Sequence, residues 1–258
     1  MTEIVTRFLD LVALVSLPAL GVFLRVGSAM ALLPVFGERV VPARVRLTLA
    51  LCFTAIVAPA VSDGFARAAT TPGLPLWLGA EVLAGLLIGI MVRLYTLALQ
   101  TAGAIIAQST SLSQILGNAV AEPAPAIGHL LLIAGLALAT LTDLHVQVAS
   151  VFIQSYGAIP AGTLPTASAT YDWVLPLFLQ SFALAFALAA PFVIASLIYN
   201  IVMGVINRAM PQLMVSFVGA PAITFGGLLL LALITPLLLE IWNDALTQVL
   251  SAPFGGAP

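Results

Sequence analysis

Apolar positions along this chain gather into long unbroken blocks, with no sustained alternation of apolar and polar residues. A helix needs about 20 such residues to cross a ~30 Å hydrocarbon layer, and six blocks approach or exceed that length. The first is Leu9 to Val35, broken by Pro18 and Arg25. After a short loop from Phe36 to Arg46 comes Leu47 to Val61, short for a perpendicular span. Asp63 to Pro75 reads as a loop, punctuated by Gly64, Pro72 and Gly73. The remaining blocks are Leu76 to Gln100, His129 to Tyr156, Val174 to Ile206 and Leu213 to Leu250. Gly157 to Trp173 forms a further loop, and the Ser251 to Pro258 tail reads as too short and too rich in Gly and Pro to fold. Backbone groups in lipid must be satisfied within the segment, and the period-two pattern of barrel strands is missing, so the segments are helices. Pro176, Pro191, Pro221 and Pro236 lie inside the last two blocks and predict kinks. The expectation is an all-α integral membrane protein of about six long, Pro-kinked helical segments.

Composition removes the other classes. Of 258 residues, 62% are hydrophobic and 7% charged, against roughly 45–50% and about 25% in soluble domains. That excludes a soluble enzyme and a disordered chain alike. One cysteine, Cys52, cannot form a disulfide framework, and a net charge of −2 offers no footprint for nucleic acid. The first ten residues carry Glu3, Arg7 and Asp10 rather than a positive leader, so the first block reads as a retained anchor. Arg39, Arg44 and Arg46 cluster in the first loop and place it on the cytoplasmic side, with the N-terminus outside. Six crossings would put Arg208 on the cytoplasmic side too.

A charge near a bilayer centre costs ~2.5–3.5 kcal/mol on insertion scales and calls for a partner or a function. Arg25, Glu81, Arg93, Asp143, His145 and Glu240 are the candidates. They are scattered, which favours structural pairing over a proton or ion relay. Glu81, Gly85, Gly89 and Arg93 recur every four residues and form one helical stripe, with the two glycines at the spacing that lets helix backbones approach closely. Glu81 and Arg93 are about 18 Å apart along the axis, so each needs a partner elsewhere. Asp143 and His145 sit two residues apart on different faces. No metal-ligand cluster, HExxH, GxSxG or phosphate loop is present, and no cofactor is implied.

Thr101 to Gly128 differs from its surroundings. Gln108, Ser109, Thr110, Ser111, Ser113, Gln114 and Asn118 are polar but uncharged and alternate with Ile105, Ile106, Ile115 and Leu116. Such a segment can line an aqueous path or plug it without a large desolvation cost; the other reading is an inter-helix loop of unusual length.

Several motifs together resemble one family. Arg25-Val26-Gly27-Ser28-Ala29 leads to Leu33-Pro34-Val35-Phe36-Gly37-Glu38-Arg39, then to Val41-Pro42-Ala43-Arg44-Val45-Arg46. Thr101-Ala102-Gly103 and Pro160-Ala161-Gly162 follow, and Asn207-Arg208-Ala209-Met210-Pro211-Gln212 fills the turn between two long blocks. This pattern is similar to the FliR family of flagellar type III export-gate subunits, equivalent to the T subunit of virulence secretion systems. The resemblance covers nearly the whole chain.

The resemblance implies a non-enzymatic inner-membrane subunit of the flagellar basal body. Such a subunit assembles with FliP and FliQ into the entry portal for unfolded export substrates, with FlhB around the cytoplasmic mouth and FlhA supplying energy. It implies a FliP-like part over residues 1–160, joined in the Gly157 to Tyr171 loop to a FliQ-like hairpin over 161–250, with 251–258 as a tail. The cytoplasmic turn then carries Asn207, Arg208, Pro211 and Gln212. The plug maps onto Ile106 to Pro123. Many members carry an Ala-Gly-Glu and a Gln-Met-Gly cluster where this chain has Ala102-Gly103-Ala104 and Gln108-Ser109-Thr110, so a seal made by packing and hydrogen bonds is expected here. The alternatives are the equivalent virulence subunit and a small secondary transporter, though no repeat relates the two halves.

Overall fold

A computed structural model describes residues 18–37, 41–68, 73–111, 126–210 and 215–255. Seven helices and no strand occur among these residues: α1 (Pro18–Met30), α2 (Ala43–Ala68), α3 (Leu74–Ser111), α4 (Ala126–Leu141), α5 (Leu144–Ala158), α6 (Ala167–Ala209) and α7 (Val215–Ser251). Four of them, α2, α3, α6 and α7, are long and apolar enough to cross a membrane, and α4 with α5 makes a fifth if that pair forms one span. The all-helical membrane architecture read from the sequence is therefore the one observed.

The boundaries differ from the apolar blocks in instructive ways. α2 runs on to Ala68, through Asp63 and Gly64. One Asp and one Gly each cost about 1 kcal/mol or less of helix propensity, too little to end a helix already propagating. α3 runs on to Ser111, through the first half of the polar stretch. Ser109 satisfies its hydroxyl there by donating to the Ile106 carbonyl at 2.8 Å, so its polarity does not end the helix. The block His129 to Tyr156 is two helices, because Asp143 adopts the left-handed conformation at φ 59° and ψ 36°. Asp tolerates that region better than most residues. The Asp143 carbonyl accepts from Val146 and Gln147 N–H to start α5, and the Gln147 amide donates back to the Thr142 carbonyl at 3.0 Å. Pro59, Pro176, Pro191, Pro221 and Pro236 all lie within helices that continue past them.

The chain forms two compact units. The first comprises Met1–Leu94, Thr142–Leu177 and Leu246–Pro258. Its core is set by helical periodicity: Val22, Val26, Ala29, Met30 and Leu33 are buried from the first helix and its exit turn, and Trp77, Ala80, Ala84, Ile88 and Met91 from α3. Phe53 of α2 meets Phe152 of α5 edge-on at 6.2 Å and Phe36 at 5.9 Å, the geometry favoured by aromatic quadrupoles. The described part of the tail, residues 251–255, does take up structure, against the sequence expectation. Phe254 stacks on Trp173 at 5.5 Å, and the Trp173 indole N–H donates to the Pro253 carbonyl at 2.8 Å. A single aromatic side chain is enough to pin so short a segment.

The second unit comprises Tyr95–Leu141 and Phe178–Ala245. Trp242 is fully buried and donates its indole N–H to the Tyr95 carbonyl at 2.7 Å. Gly135 lies under this ring, and Gly103 of α3 lies so close to the Gly128 backbone of α4 that it could not carry a Cβ unchanged. α6 and α7 run as a hairpin, with the Tyr199 hydroxyl donating to the Gly219 carbonyl at 2.6 Å.

Candidate functional site

The first unit is built around one charged pair. Arg25 and Glu81 are 1% and 0% exposed. An ion pair so deeply buried survives only if its remaining donors and acceptors are also satisfied, and here they are. Arg25 Nε donates to Glu81 Oε2 at 2.8 Å, and Nη2 donates to Glu81 Oε1 at 3.3 Å. Nη1 reaches the Ser155 hydroxyl at 3.0 Å, and Nη2 also reaches the Ile159 carbonyl at 3.1 Å. The guanidinium lies over the Tyr156 ring, 3.7 Å from its centroid, a cation–π contact strengthened by desolvation. Glu81 accepts two further bonds, from the Tyr156 hydroxyl at 3.2 Å and from the Gly162 backbone N–H at 2.8 Å.

The pair therefore ties together α1, α3, α5 and the turn that follows α5. Small residues make the approach feasible. A Cβ at Gly85 would collide with the Arg25 carbonyl and the Ser28 hydroxyl, and one at Gly89 would sit 2.9 Å from the Ala29 carbonyl. Gly162 has φ +72° and faces the Trp77 ring so closely that no side chain fits, which requires glycine on both counts.

The other residues singled out by sequence are distributed more widely. Arg93 is half-buried on α3, while Asp143, His145 and Glu240 are exposed on this chain. Gln108 is exposed and Ser109 buried near the end of α3, where Thr110 and Ser111 complete the helix. Ser113, Gln114 and Asn118 lie outside the described residues. Asn207 and Arg208 occupy the last turn of α6 and are exposed, whereas Pro211 and Gln212 fall outside the described residues. Glu38 and Arg39 do as well. Among the described residues no group of three or more His, Cys, Asp or Glu side chains converges as a metal ion would require. Sequence reasoning did not single out Ser155, Tyr156 or Gly162 individually; the Pro160-Ala161-Gly162 motif was the available signal.

A second feature is the outward face of the hairpin. Phe178, Phe182 and Phe186 recur every four residues on α6 and are all about half exposed, with ring centroids 5.9 and 5.1 Å apart along the row. Val193, Ile194, Leu197, Ile198, Ile201 and Val205 continue the exposed apolar surface. On α7, Phe225, Leu229, Leu233 and Leu237 do the same.

Long apolar helices, exposed apolar faces and a buried ion pair that joins helices define a multi-pass helical membrane protein. Residues 17–249 match the family model described as bacterial export proteins, family 1, and the chain belongs to that family. Among its relatives, the flagellar biosynthetic protein FliR of Caulobacter vibrioides is 34% identical over 238 residues, covering 89% of this chain and 92% of that protein. Its namesake in Escherichia coli is 26% identical over 88% of this chain and 87% of its own length. That of Aquifex aeolicus is 27% identical over 84% of each. The chain is accordingly a component of the flagellar protein export apparatus in the bacterial inner membrane.

Proposed function

We propose that this chain is a structural, non-enzymatic core subunit of the export channel, assembled with FliP and FliQ and contacted by FlhB and FlhA. Unfolded flagellar proteins are the substrates passed through it. The observation that carries this reading is the length of the exposed apolar face on α6. From Phe178 to Ile206 that face extends about 42 Å at 1.5 Å per residue, whereas the hydrocarbon layer is ~30 Å thick. An upright helix would leave part of it outside the lipid, and apolar helices of other subunits are the cover that suits that part. The α6–α7 hairpin corresponds in this reading to the FliQ-like part, residues 161–250, following a FliP-like part over 1–160. The flagellar names of the relatives favour the flagellar system over its virulence counterpart.

In the same reading the end of α3, with Gln108 and Ser109, leads into the plug. Arg208, at the end of α6, faces the cytoplasmic mouth. Deleting Gln108 to Asn118 is expected to let ions leak across the inner membrane, measured as loss of membrane potential in cells expressing the whole gate. The subunit itself is tested by detergent extraction with and without co-expressed FliP and FliQ. Co-expression is expected to give one stable complex and the lone chain to aggregate or be degraded. A lone chain that is monodisperse and stable would contradict the proposal.

A further inference from the structure

The turn between α5 and α6 has little regular structure of its own. Its local backbone bonds are Ile159 N–H to the Ser155 carbonyl and Thr163 N–H to the Pro160 carbonyl. What fixes its shape is the charged pair, since Arg25 binds the Ile159 carbonyl and Glu81 binds the Gly162 N–H. A buried ion pair contributes little net stability compared with apolar side chains of the same volume, because desolvation offsets the attraction. An apolar pair at these positions would still pack, yet it would leave the Ile159 carbonyl and the Gly162 N–H without these partners. The pair is thus better suited to selecting one conformation of the turn than to holding the core together.

We infer that Arg25 and Glu81 are a positioning pair. They hold the Ile159–Gly162 turn in one shape and so set where α6 begins, which places the partner-facing helix for assembly and export. This rests on the reading of α6 as a partner surface. Gly162 supports the inference independently: its positive φ and its contact with Trp77 leave the turn one arrangement on that side. The Tyr156 ring and hydroxyl close the pair from the other side, so the turn is gripped by side chains from α1, α3 and α5.

The test replaces both charges at once, Arg25→Met with Glu81→Met, so that no unpaired charge is buried. Membrane level and melting temperature of the extracted subunit report on folding; recovery of FliP and FliQ and secretion of flagellar filament protein report on positioning. The double variant is expected to accumulate normally while secretion falls by about tenfold or more. Normal accumulation with normal secretion overturns the inference. A second variant inserts two glycines between Thr163 and Leu164, downstream of the gripped turn, leaving every bond of the pair in place. It is expected to reproduce the secretion loss, and wild-type secretion from it overturns the inference even if the double variant fails to accumulate. The wild-type chain run in parallel separates the two claims. Should it recover no FliP or FliQ, the partner-surface reading fails; should it recover them while both variants secrete normally, only the positioning pair fails.

Discussion

Helices α3 and α6 are close in length, 38 and 43 residues, and at 1.5 Å per residue each outreaches a ~30 Å hydrocarbon layer. They differ in how much apolar surface they leave open: among the described residues α3 exposes Leu76, Leu83, Ile90 and Leu97, and α6 exposes many more. α3 buries Trp77, Ala84, Ile88, Met91 and Leu99 and carries a buried carboxylate. α6 buries few residues and displays a row of phenylalanines and branched aliphatics. The polar group is hidden and the greasy face is exposed, the reverse of a water-soluble helix. The contrast indicates that α3 organises the subunit from within, while α6 is a surface completed by something else. Glycine reinforces the division, because Gly85 and Gly89 let α1 lie directly against α3.

The comparison can be broken most forcefully at Glu81. Glu81→Ala leaves Arg25 buried with no carboxylate and is expected to cost about 3–5 kcal/mol, seen as a large fall in membrane level and melting temperature. An unchanged melting temperature would mean that α3 is not the organising helix. Next comes Phe182→Ala on α6. The chain's own stability should change by less than about 0.5 kcal/mol, as at other exposed positions, while docking of partner subunits weakens by about 1–2 kcal/mol. Pull-down yield of FliP and FliQ against the subunit's melting temperature separates the two. The smallest effect is expected from Trp173→Phe, which keeps the stacking surface for Phe254 and removes the bond to the Pro253 carbonyl. A loss of about 1 kcal/mol, with greater proteolytic access to the C-terminal residues, is the expected result.

Much of this was readable from residue patterns, and the failures have physical causes. Glu81 on its glycine stripe and Arg25 within the first block were both marked as charges needing partners, and the structure pairs them with each other. Which helix supplied the partner was not legible, because a partner 56 positions away in sequence leaves no local spacing signal. The break at Asp143 escaped notice because apolar content continues across it, and one left-handed residue has no hydropathy signature. α3 outran its apolar block because serine and threonine can bond back to their own helix, which composition does not reveal. The tail was misread for a related reason: Pro253 and Phe254 are two residues, and their partner Trp173 lies 80 positions before Pro253.

On the proposed reading, protein and not lipid alone covers the exposed face of α6. That reading is tested most directly by placing a photo-crosslinking amino acid at Phe182 and, separately, at Val205 in cells assembling the whole apparatus. These positions lie about 34 Å apart along the helix, farther than a ~30 Å hydrocarbon layer spans on an upright helix. Protein adducts at both sites are the expected result. Adducts to lipid at both, with no protein partner recovered at either, would contradict the account.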